Sequence, residues 1–313
     1  MKKLVAVGPN PAWQKTLFFE RFRENGINRA REMQAFPAGK GINFCRAVRC
    51  HGRAEGRLIQ FAGGDTGRRV CEELAREGMP VWTVETGAAT RTCNTCLCES
   101  TRTMTEIIEP SYAATTPEVE KLLGYFADAL HEADGAAFCG TLPTGTDPLL
   151  YARAAQLLKA SPRPVLIDAC RDIRPIFGSG LEIYLKINAD ELREMTGCTT
   201  VRDGLHDLFT ASGPTPRLAA ITDGENEAFC SDGKRLMVYR LPRLEKVVNP
   251  IGCGDTASAA WMSELVNGSD PFEAFRIALG AASANCMSAF PGSFVPAEAA
   301  AIAAAIVVRE ETF

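Results

Sequence analysis

Short apolar runs alternate along the chain with longer segments in which apolar residues recur at helical spacing. The runs are five to seven residues long and indicate buried strands over residues 4–8, 136–140, 164–169, 182–188 and 217–222. Helices are predicted over residues 116–132, with Thr116 as N-cap and Pro117 at the first helical position, and over residues 148–159. Strands alternating with helices in this way predict an α/β fold with a doubly wound, mostly parallel sheet covered on both faces.

Two regions break this rhythm, residues 11–36 and residues 90–110. Residues 90–99 and 102–109 alternate as two strands of a hairpin, with Ser100, Thr101 and Arg102 as the turn. We therefore expect a small β-sheet lid, built from these two insertions, on a single α/β domain spanning residues 1–313. No internal repeat, low-complexity segment or long linker divides the chain.

Composition and charge exclude several classes of protein. The formal net charge is −4 and the basic residues are dispersed, which argues against a nucleic-acid or anionic-membrane partner. The apolar stretch after Lys2 and Lys3 is too short for an export signal. The longest late apolar run, residues 299–308, falls well below the roughly 20 residues that span a bilayer. We expect a soluble, cytoplasmic protein.

Twelve cysteines raise the question of a metal or disulfide site. Cys93, Cys96 and Cys98 form a C-x-x-C-x-C cluster, but no second clustered pair completes a zinc site, and His51, His131 and His206 are remote in sequence. The surrounding residues alternate as a strand. Reduced thiols packed on its two faces are the simpler interpretation, and a metal or redox role for the cluster stays open.

The strongest chemical signal is the run Gly252-Cys253-Gly254-Asp255, followed by an apolar, helix-like stretch up to Val266. Free backbone N–H groups and the helix dipole attract anions at such a helix start. A carboxylate beside them could take the proton from an attacking hydroxyl while the N–H groups stabilise a transferring phosphoryl group. Alone, the run is equally compatible with an ordinary helix start carrying a structural Asp.

Residues 248–257 resemble the C-terminal signature of the ribokinase-like (PfkB) carbohydrate kinases. In that family Gly-x-Gly-Asp forms the anion hole and carries the catalytic base, which implies these roles for the residues of the run and makes Asp255 the base. Three further segments resemble the family in its order along the chain. Residues 37–43 are similar to its sugar-binding signature, residues 186–192 to its Lys-x-Asn-x-x-Glu-Leu run, and residues 221–224 to its nucleotide-phosphate segment.

The resemblance implies ATP as co-substrate and Mg²⁺ as cofactor. Glu191 would position the magnesium ion through water, which suits an ion that keeps several waters and leans on substrate phosphates. A monovalent cation near the anion hole stays open. The implied ATP-binding residues are Lys186, Asn188, Thr222, Gly224 and Asn285.

The substrate end resembles the branch containing 1-phosphofructokinase, the minor 6-phosphofructokinase and tagatose-6-phosphate kinase. Residues 10–12, 105–107 and 140–143 carry this likeness. The implied substrate is a ketohexose phosphate, whose existing phosphate suits bidentate Arg side chains. The expected substrate-binding residues are Gln14, Arg29, Gly39, Lys40, Asn43, Arg91 and Glu106. We expect Asn43 to lie where a helix over residues 44–49 begins.

Two positions depart from that branch. Gln14 stands where the branch usually has an Asp, and Ala38 replaces the first glycine of the sugar signature. A hydroxyl hydrogen bond to a charged group is worth about 1.5–3 kcal/mol against about 1 kcal/mol for a neutral one, so Gln14 should change sugar preference.

Three other functions compete with this one. The first is a kinase of an unphosphorylated sugar or a nucleoside, and the second is a non-catalytic sugar-phosphate sensor on the same fold. A nicotinamide-dependent oxidoreductase fails, because Gly8 is followed by Pro-Asn-Pro rather than by a G-x-G-x-x-G fingerprint. Because exposed sheet edges often pair with a copy of themselves, we also expect a homodimer through the lid.

Overall fold

The computed structural model describes all residues, 1–313. The protein contains two β-sheets of unequal size. The large sheet has ten strands and the small sheet has four. The strands are β1 (Lys2–Val7), β2 (Ala12–Phe19), β3 (Glu32–Ala38), β4 (Ala54–Gly63), β5 (Val81–Thr86), β6 (Arg91–Cys98), β7 (Thr103–Ile108), β8 (Gly135–Cys139), β9 (Val165–Asp168), β10 (Ile183–Asn188), β11 (Leu218–Thr222), β12 (Ala228–Ser231), β13 (Arg235–Arg240) and β14 (Val307–Thr312).

Helices connect the parallel strands of the large sheet. Its order is β14-β13-β12-β11-β10-β9-β8-β1-β4-β5. The seven strands β11, β10, β9, β8, β1, β4 and β5 run parallel, and β12, β13 and β14 are antiparallel at one edge. The helices are α1 (Lys40–His51), α2 (Gly64–Arg76), α3 (Thr116–Ala129), α4 (Leu150–Leu157), α5 (Arg174–Phe177), α6 (Ala189–Thr196), α7 (Val201–Thr210), α8 (Cys253–Val266), α9 (Pro271–Cys286) and α10 (Pro296–Ala305).

The large sheet is buried on both faces. Along β1, Leu4 and Ala6 belong to a hydrophobic cluster shared with α1, α8, α9 and α10. Val5 and Val7 point to the opposite cluster, which contains side chains of α3 to α7. This alternation explains why the buried strands are apolar at nearly every position. The predicted doubly wound α/β fold is confirmed.

The small sheet is assembled from two separate parts of the chain. Its order is β3-β2-β6-β7, with β2 and β6 parallel and the other pairs antiparallel. The hairpin formed by β6 and β7 turns through residues 99–102, where Arg102 has a φ of 55°. Cys96 and Cys98 are buried in β6 and Cys93 is half-buried, all three as free thiols.

Two predicted helix starts were wrong. Helix α1 begins at Lys40 rather than near Asn43, because Gly39, at φ 133°, makes the turn into the helix. Gly41 lies inside α1, where a Cβ would come within 2.7 Å of the Gly8 Cα. Gly41, which in the sequence suggests a loop, is therefore required because the helix packs closely against the end of β1. Helix α3 is capped by Thr115 instead of Thr116, with Glu118 completing the capping box.

No helix in the structure combines the length and apolar character that crossing a bilayer requires.

Candidate active site

Charged side chains converge where the parallel strands end. Asp168 is the last residue of β9, Lys186 lies near the end of β10, and Asn188 ends β10 opposite Thr222 of β11. Helices α1, α6 and α8 reach the same edge of the sheet. Lys40 of α1 bonds both Asp168 and Glu191 of α6, and Ser258 of α8 bonds Asp168. The carboxyl ends of parallel strands are the usual ligand-binding edge of this architecture.

Asp255 occupies the first turn of α8. Gly252 is the N-cap in the left-handed conformation, with φ 80°, and a Cβ there would lie 2.7 Å from the Pro291 Cβ. Asp255 is only 8 % exposed, and its Oδ2 accepts a hydrogen bond from the Asn43 amide at 2.7 Å. Its other oxygen, Oδ1, accepts none from the protein. One oxygen is thus fixed by a hydrogen bond and the other has no protein partner.

Burial raises the pKa of Asp255 from 3.8 to about 6, and the nearby negative charge of Asp168 adds to the increase. The charges of Lys40 and Lys186 and the Asn43 hydrogen bond oppose it. A carboxylate with a pKa in this range is ionised at neutral pH and is a stronger proton acceptor than an ordinary Asp.

Asp168 is the centre of the charge network, and the sequence did not identify it. Its Oδ1 accepts from the Lys40 ammonium at 2.7 Å, and its Oδ2 accepts from Ser258 Oγ at 2.5 Å. The Lys186 ammonium lies 3.7 Å from Oδ2. Burial alone would raise the pKa of Asp168, but the two lysines and the hydrogen bonds hold it below its ordinary value. The available signal was an acid at the carboxyl end of an otherwise apolar strand.

Lys40 joins two carboxylates. Its Nζ donates to Asp168 Oδ1 and to Glu191 Oε1, both at 2.7 Å. Burial opposes its protonation, but these carboxylates raise the pKa of Lys40. Glu191 is itself held by a capping box, since its Oε2 accepts from the Asn188 N–H at 2.9 Å and its own N–H donates to Asn188 Oδ1 at 2.8 Å. Lys40, predicted to bind the sugar substrate, and Glu191, predicted to position magnesium, therefore meet in one ion-pair network.

Lys186 lies against the glycine run. A Cβ on Gly254 would come within 2.7 Å of the Lys186 Nζ, and only 4 % of the lysine side chain is exposed. The structure therefore places a buried ammonium beside the N-terminus of α8. Both features attract an anion to the same place.

Asn285 braces the loop that leads into α8. Its Nδ2 donates to the Ile251 carbonyl at 3.1 Å, and its Oδ1 accepts from Thr256 Oγ1 at 3.2 Å and from the Gly292 N–H at 2.7 Å. The side chain is fully buried. Asn285, predicted to bind ATP, is thus committed to protein partners around the glycine run.

A cavity of about 140 Å³ opens beside Lys40 and Glu191. Arg91 borders it and donates from Nη2 to the Asn10 carbonyl at 3.3 Å, while its buried Nε has no partner. The lining residues are Gly8, Asn10, Pro11, Gly39, Lys40, Gly41, Ile42, Arg91, Cys139, Gly140, Thr141, Ala169, Cys170 and Glu191. Asp255 and Asn43 lie outside this lining.

Three predicted substrate residues lie away from the cavity. Gln14 is buried in β2, where its Nε2 donates to Thr95 Oγ1 at 2.8 Å. Glu106 is exposed on β7 and reaches only the Thr95 hydroxyl, at 3.5 Å. Arg29 is exposed in the connection between β2 and β3 and makes no side-chain hydrogen bond. The structure does not bring these three to the Lys40 network.

The two predicted nucleotide residues after β10 lie at the same sheet edge as Asn188. Thr222 is half-buried at the end of β11, and Gly224 follows in a turn with φ 57°. Of the two, only Gly224 is exposed.

Comparison with known proteins identifies the family of the chain. A family model described as pfkB family carbohydrate kinase matches residues 1–297. The chain is 24 % identical over 266 residues to the tagatose-6-phosphate kinase of Staphylococcus epidermidis strain RP62A, covering 82 % of this chain and 84 % of that one. It is 24 % identical over 280 residues to the D-tagatose-1-phosphate kinase of Klebsiella oxytoca, covering 86 % and 88 %.

The fold has a solved counterpart. The structure superposes on phosphofructokinase-2 of Escherichia coli, crystallised in complex with substrates and products, with a TM-score of 0.85 at 20 % identity. The alignment covers 97 % of this chain and 99 % of the other.

Proposed function

The chain belongs to the pfkB family of carbohydrate kinases, and from this we propose that it transfers the γ-phosphoryl group of ATP to a hydroxyl of a ketohexose phosphate. Tagatose 6-phosphate, fructose 6-phosphate and fructose 1-phosphate are the acceptors to consider first, since the sequence relatives act on tagatose phosphates by name. The observation that carries the mechanism is Asp255, a buried carboxylate with a raised pKa at a helix N-terminus.

Asp255 acts as the general base in this proposal. The Asn43 amide holds Oδ2, which leaves Oδ1 to accept the proton of the attacking hydroxyl. Its raised pKa strengthens it as an acceptor while leaving it ionised at neutral pH. A positioned base of this kind contributes about 10²–10⁴-fold to a rate.

The backbone at residues 252–254 stabilises the transferring group. The first turn of a helix leaves its N–H groups without intrahelical acceptors, so those of α8 can bind the phosphoryl oxygens. Lys186 adds a positive charge beside Gly254. Asn285 fixes the loop by bonding the Ile251 carbonyl, which keeps the donors in place before the substrate arrives.

The carboxylates around Lys40 fit a magnesium ion. Asp168 and Glu191 both direct an oxygen at one ammonium, so the pair can face a single hard cation. Mg²⁺ prefers carboxylate and phosphate oxygens and keeps several waters, and two carboxylates suffice when substrate phosphates complete the shell. A bound Mg²⁺ would neutralise the phosphate charge. Lys40 also lines the neighbouring cavity, so its ammonium would supply a positive charge to a phosphate bound there.

The sugar phosphate is proposed to enter the cavity beside Arg91. The orphaned, buried Nε of Arg91 is a donor without an acceptor, which a phosphate oxygen would satisfy. Gly39 and Gly41 bring backbone close to the ligand. Gln14 and Arg29 would reach the sugar only if the small sheet moved toward the cavity, as a lid that excludes water.

A second copy of the chain is proposed to cover the small sheet. All residues of the edge strand β7 are exposed. Met33, Met104, Ile107 and Ile108 leave between 45 % and 55 % of their surface in solvent. An exposed, apolar sheet edge is usually paired or covered.

The test is an ADP-release screen of the purified protein with Mg-ATP. Its acceptors are tagatose 6-phosphate, tagatose 1-phosphate, fructose 6-phosphate, fructose 1-phosphate, the free ketohexoses and nucleosides. We expect a ketohexose phosphate to give the highest kcat/KM. A higher value for a free sugar or nucleoside would contradict the acceptor class. ATP binding without turnover on any acceptor would contradict the kinase proposal in favour of a sensor.

A further inference from the structure

Two cysteines lie in contact where the glycine run meets the end of α9. The Sγ atoms of Cys253 and Cys286 are 2.8 Å apart, and both residues are half-buried free thiols. Cys253 is the first residue of α8 and Cys286 is the last of α9. The phosphoryl-transfer proposal uses the backbone at Cys253 and has no role for either sulfur.

The neighbours of this pair are the groups that shape the anion loop. Asn285 donates to Cys253 Sγ at 3.2 Å from the same Nδ2 that holds the Ile251 carbonyl. The Cys286 carbonyl accepts from the Val248 N–H at 2.7 Å and from the Asn249 N–H at 3.1 Å. A change at the sulfurs is therefore transmitted directly to the segment that enters α8.

The two thiols differ in acidity. The contact between the two sulfurs lowers the pKa of Cys286, while the same contact and burial raise the pKa of Cys253. The thiolate is the reactive form of cysteine, so Cys286 is the sulfur that attacks first.

We propose that Cys253 and Cys286 form an oxidative modification site, at which a reversible disulfide distorts the anion loop and reduces phosphoryl transfer. This inference rests on the proposed function for its effect on turnover. The oxidant is a peroxide. The Cys286 thiolate attacks one peroxide oxygen, the O–O bond breaks, and water leaves after protonation to give a sulfenic acid. Cys253 then attacks that sulfur, which forms the S–S bond and releases a second water.

The loop, rather than the helices, must absorb the change. A disulfide bond is about 2.05 Å long, so the sulfurs have to approach by about 0.8 Å. Helix α9 is buried along most of its length, whereas Cys253 lies between two glycines. Anion-hole donors act only when accurately placed, and losing one typically costs about 10²–10³-fold in kcat. We expect oxidation to lower kcat by at least about 10-fold.

The experiment compares the wild-type protein with two variants, Cys286→Ser and Cys198→Ser. Each is treated with hydrogen peroxide, then assayed for turnover and digested without reductant for mass spectrometry. Cys198 is another half-buried thiol, remote from α8 in sequence, and serves as the matched control. We expect the wild type and Cys198→Ser to show a cross-linked peptide joining residues 253 and 286, two hydrogens lighter than the separate peptides. Both should lose turnover and recover it with dithiothreitol.

The Cys286→Ser variant should keep its reduced-state turnover within about twofold and resist peroxide. Cys286→Ala is a second variant without the thiol, and it shows whether the result depends on the serine hydroxyl. Absence of the 253–286 cross-link in the wild type would overturn the proposal, as would equal inactivation of Cys286→Ser. A cross-link with unchanged turnover would overturn the effect on the loop. Because mass spectrometry detects the cross-link directly, the experiment shows whether the disulfide forms even if the protein phosphorylates none of the proposed acceptors.

Discussion

An Asp side chain becomes a better base when its surroundings resist ionisation, and two features do this at Asp255. Its burial removes water, and Asp168 places a second negative charge nearby. Lys40 and Lys186 limit the effect, which keeps the group ionised at neutral pH. The balance of these charges, rather than the Asp side chain alone, sets the pKa of Asp255.

Asp255→Asn should lower kcat by at least about 100-fold, because the amide cannot accept the hydroxyl proton. ATP affinity should stay near the wild-type value, since the backbone donors of α8 remain. Steady-state kinetics and calorimetric titration with ATP measure the two. Asp190→Asn is the matched control, because it is the same Asp-to-Asn substitution at a side chain that is 86 % exposed. Near-normal turnover of Asp255→Asn would contradict the assignment of the base.

The pH profile should report the same carboxylate. With a folded-state pKa of about 6, kcat/KM should fall about tenfold per pH unit below that value, as Asp255 becomes protonated. Removing the neighbouring charge in Asp168→Asn should move the midpoint to lower pH, because the charge of Asp168 raises the pKa of Asp255. A midpoint that is unchanged or higher in this variant would contradict the coupling.

The same shift has a stability consequence of defined sign. The folded protein holds the Asp255 proton more tightly than the unfolded chain does, so ionising the group costs folding free energy. That cost is fully present above pH about 6 and absent below the unfolded value of 3.8.

Single residues of the site were predictable only where a motif marked them. Gly254 and Asp255 belong to a Gly-x-Gly-Asp run, and the spacing of that run predicts an anion site at a helix start. Asp168 ends an apolar strand with no partner at a fixed interval, so nothing in the sequence separates it from an ordinary strand-end acid. The Lys40 to Glu191 ion pair joins residues 151 positions apart, and only the fold brings them together.

At the scale of elements, α1 shows how a helix position depends on one close contact. Gly41 lies against Gly8, and a Cβ on either would come 2.7 Å from the Cα of the other. This contact lets the helix begin at the end of β1 and carries Lys40 and Asn43 to the site. The sequence predicted the helix but began it too late, because two glycines flanking a lysine favour a loop when packing is unknown.

Gly41→Ala should destabilise the protein by about 1–3 kcal/mol, because the methyl group forces backbone apart. It should also impair turnover by displacing Lys40 and Asn43. Gly124→Ala is the control, since Gly124 lies in α3 with open space around its Cβ position. That change should stabilise by up to about 1 kcal/mol through helix propensity. Chemical denaturation measures both, and equal stability of the two variants would contradict the close-contact explanation.

At the scale of the whole molecule, the alternation of strands and helices was enough to predict the large sheet. The antiparallel edge of β12 to β14 was not predicted, nor was the parallel pairing of β2 with β6. Pairing between remote strands depends on where the connecting helices place them. Local periodicity indicates a strand but contains no information about its neighbours.

Ile107→Lys should convert the proposed dimer to a monomer, because Ile107 is half-exposed on the edge strand β7 and a lysine resists burial in an interface. Sedimentation velocity of the wild type and the variant measures the change. Val307→Lys is the control, since Val307 is 64 % exposed on β14, at an edge of the large sheet. A wild-type monomer, or a dimer that survives Ile107→Lys, would contradict an interface at β7.

The parallel pairing of β2 with β6 also bears on how the chain folds. Ala12 pairs with Arg91, 79 positions later in the sequence. Strands β4 and β5 of the large sheet lie between these two residues in the sequence, and β1 precedes both. Closing so long a loop is slow compared with forming a hairpin or a helix. We therefore expect the small sheet to be completed late, after the first strands of the large sheet have paired. A chain still emerging from the ribosome would carry β2 and β3 as a hairpin with an open edge until β6 is made. Until then the unpaired edge of β2 is open to pairing with another chain.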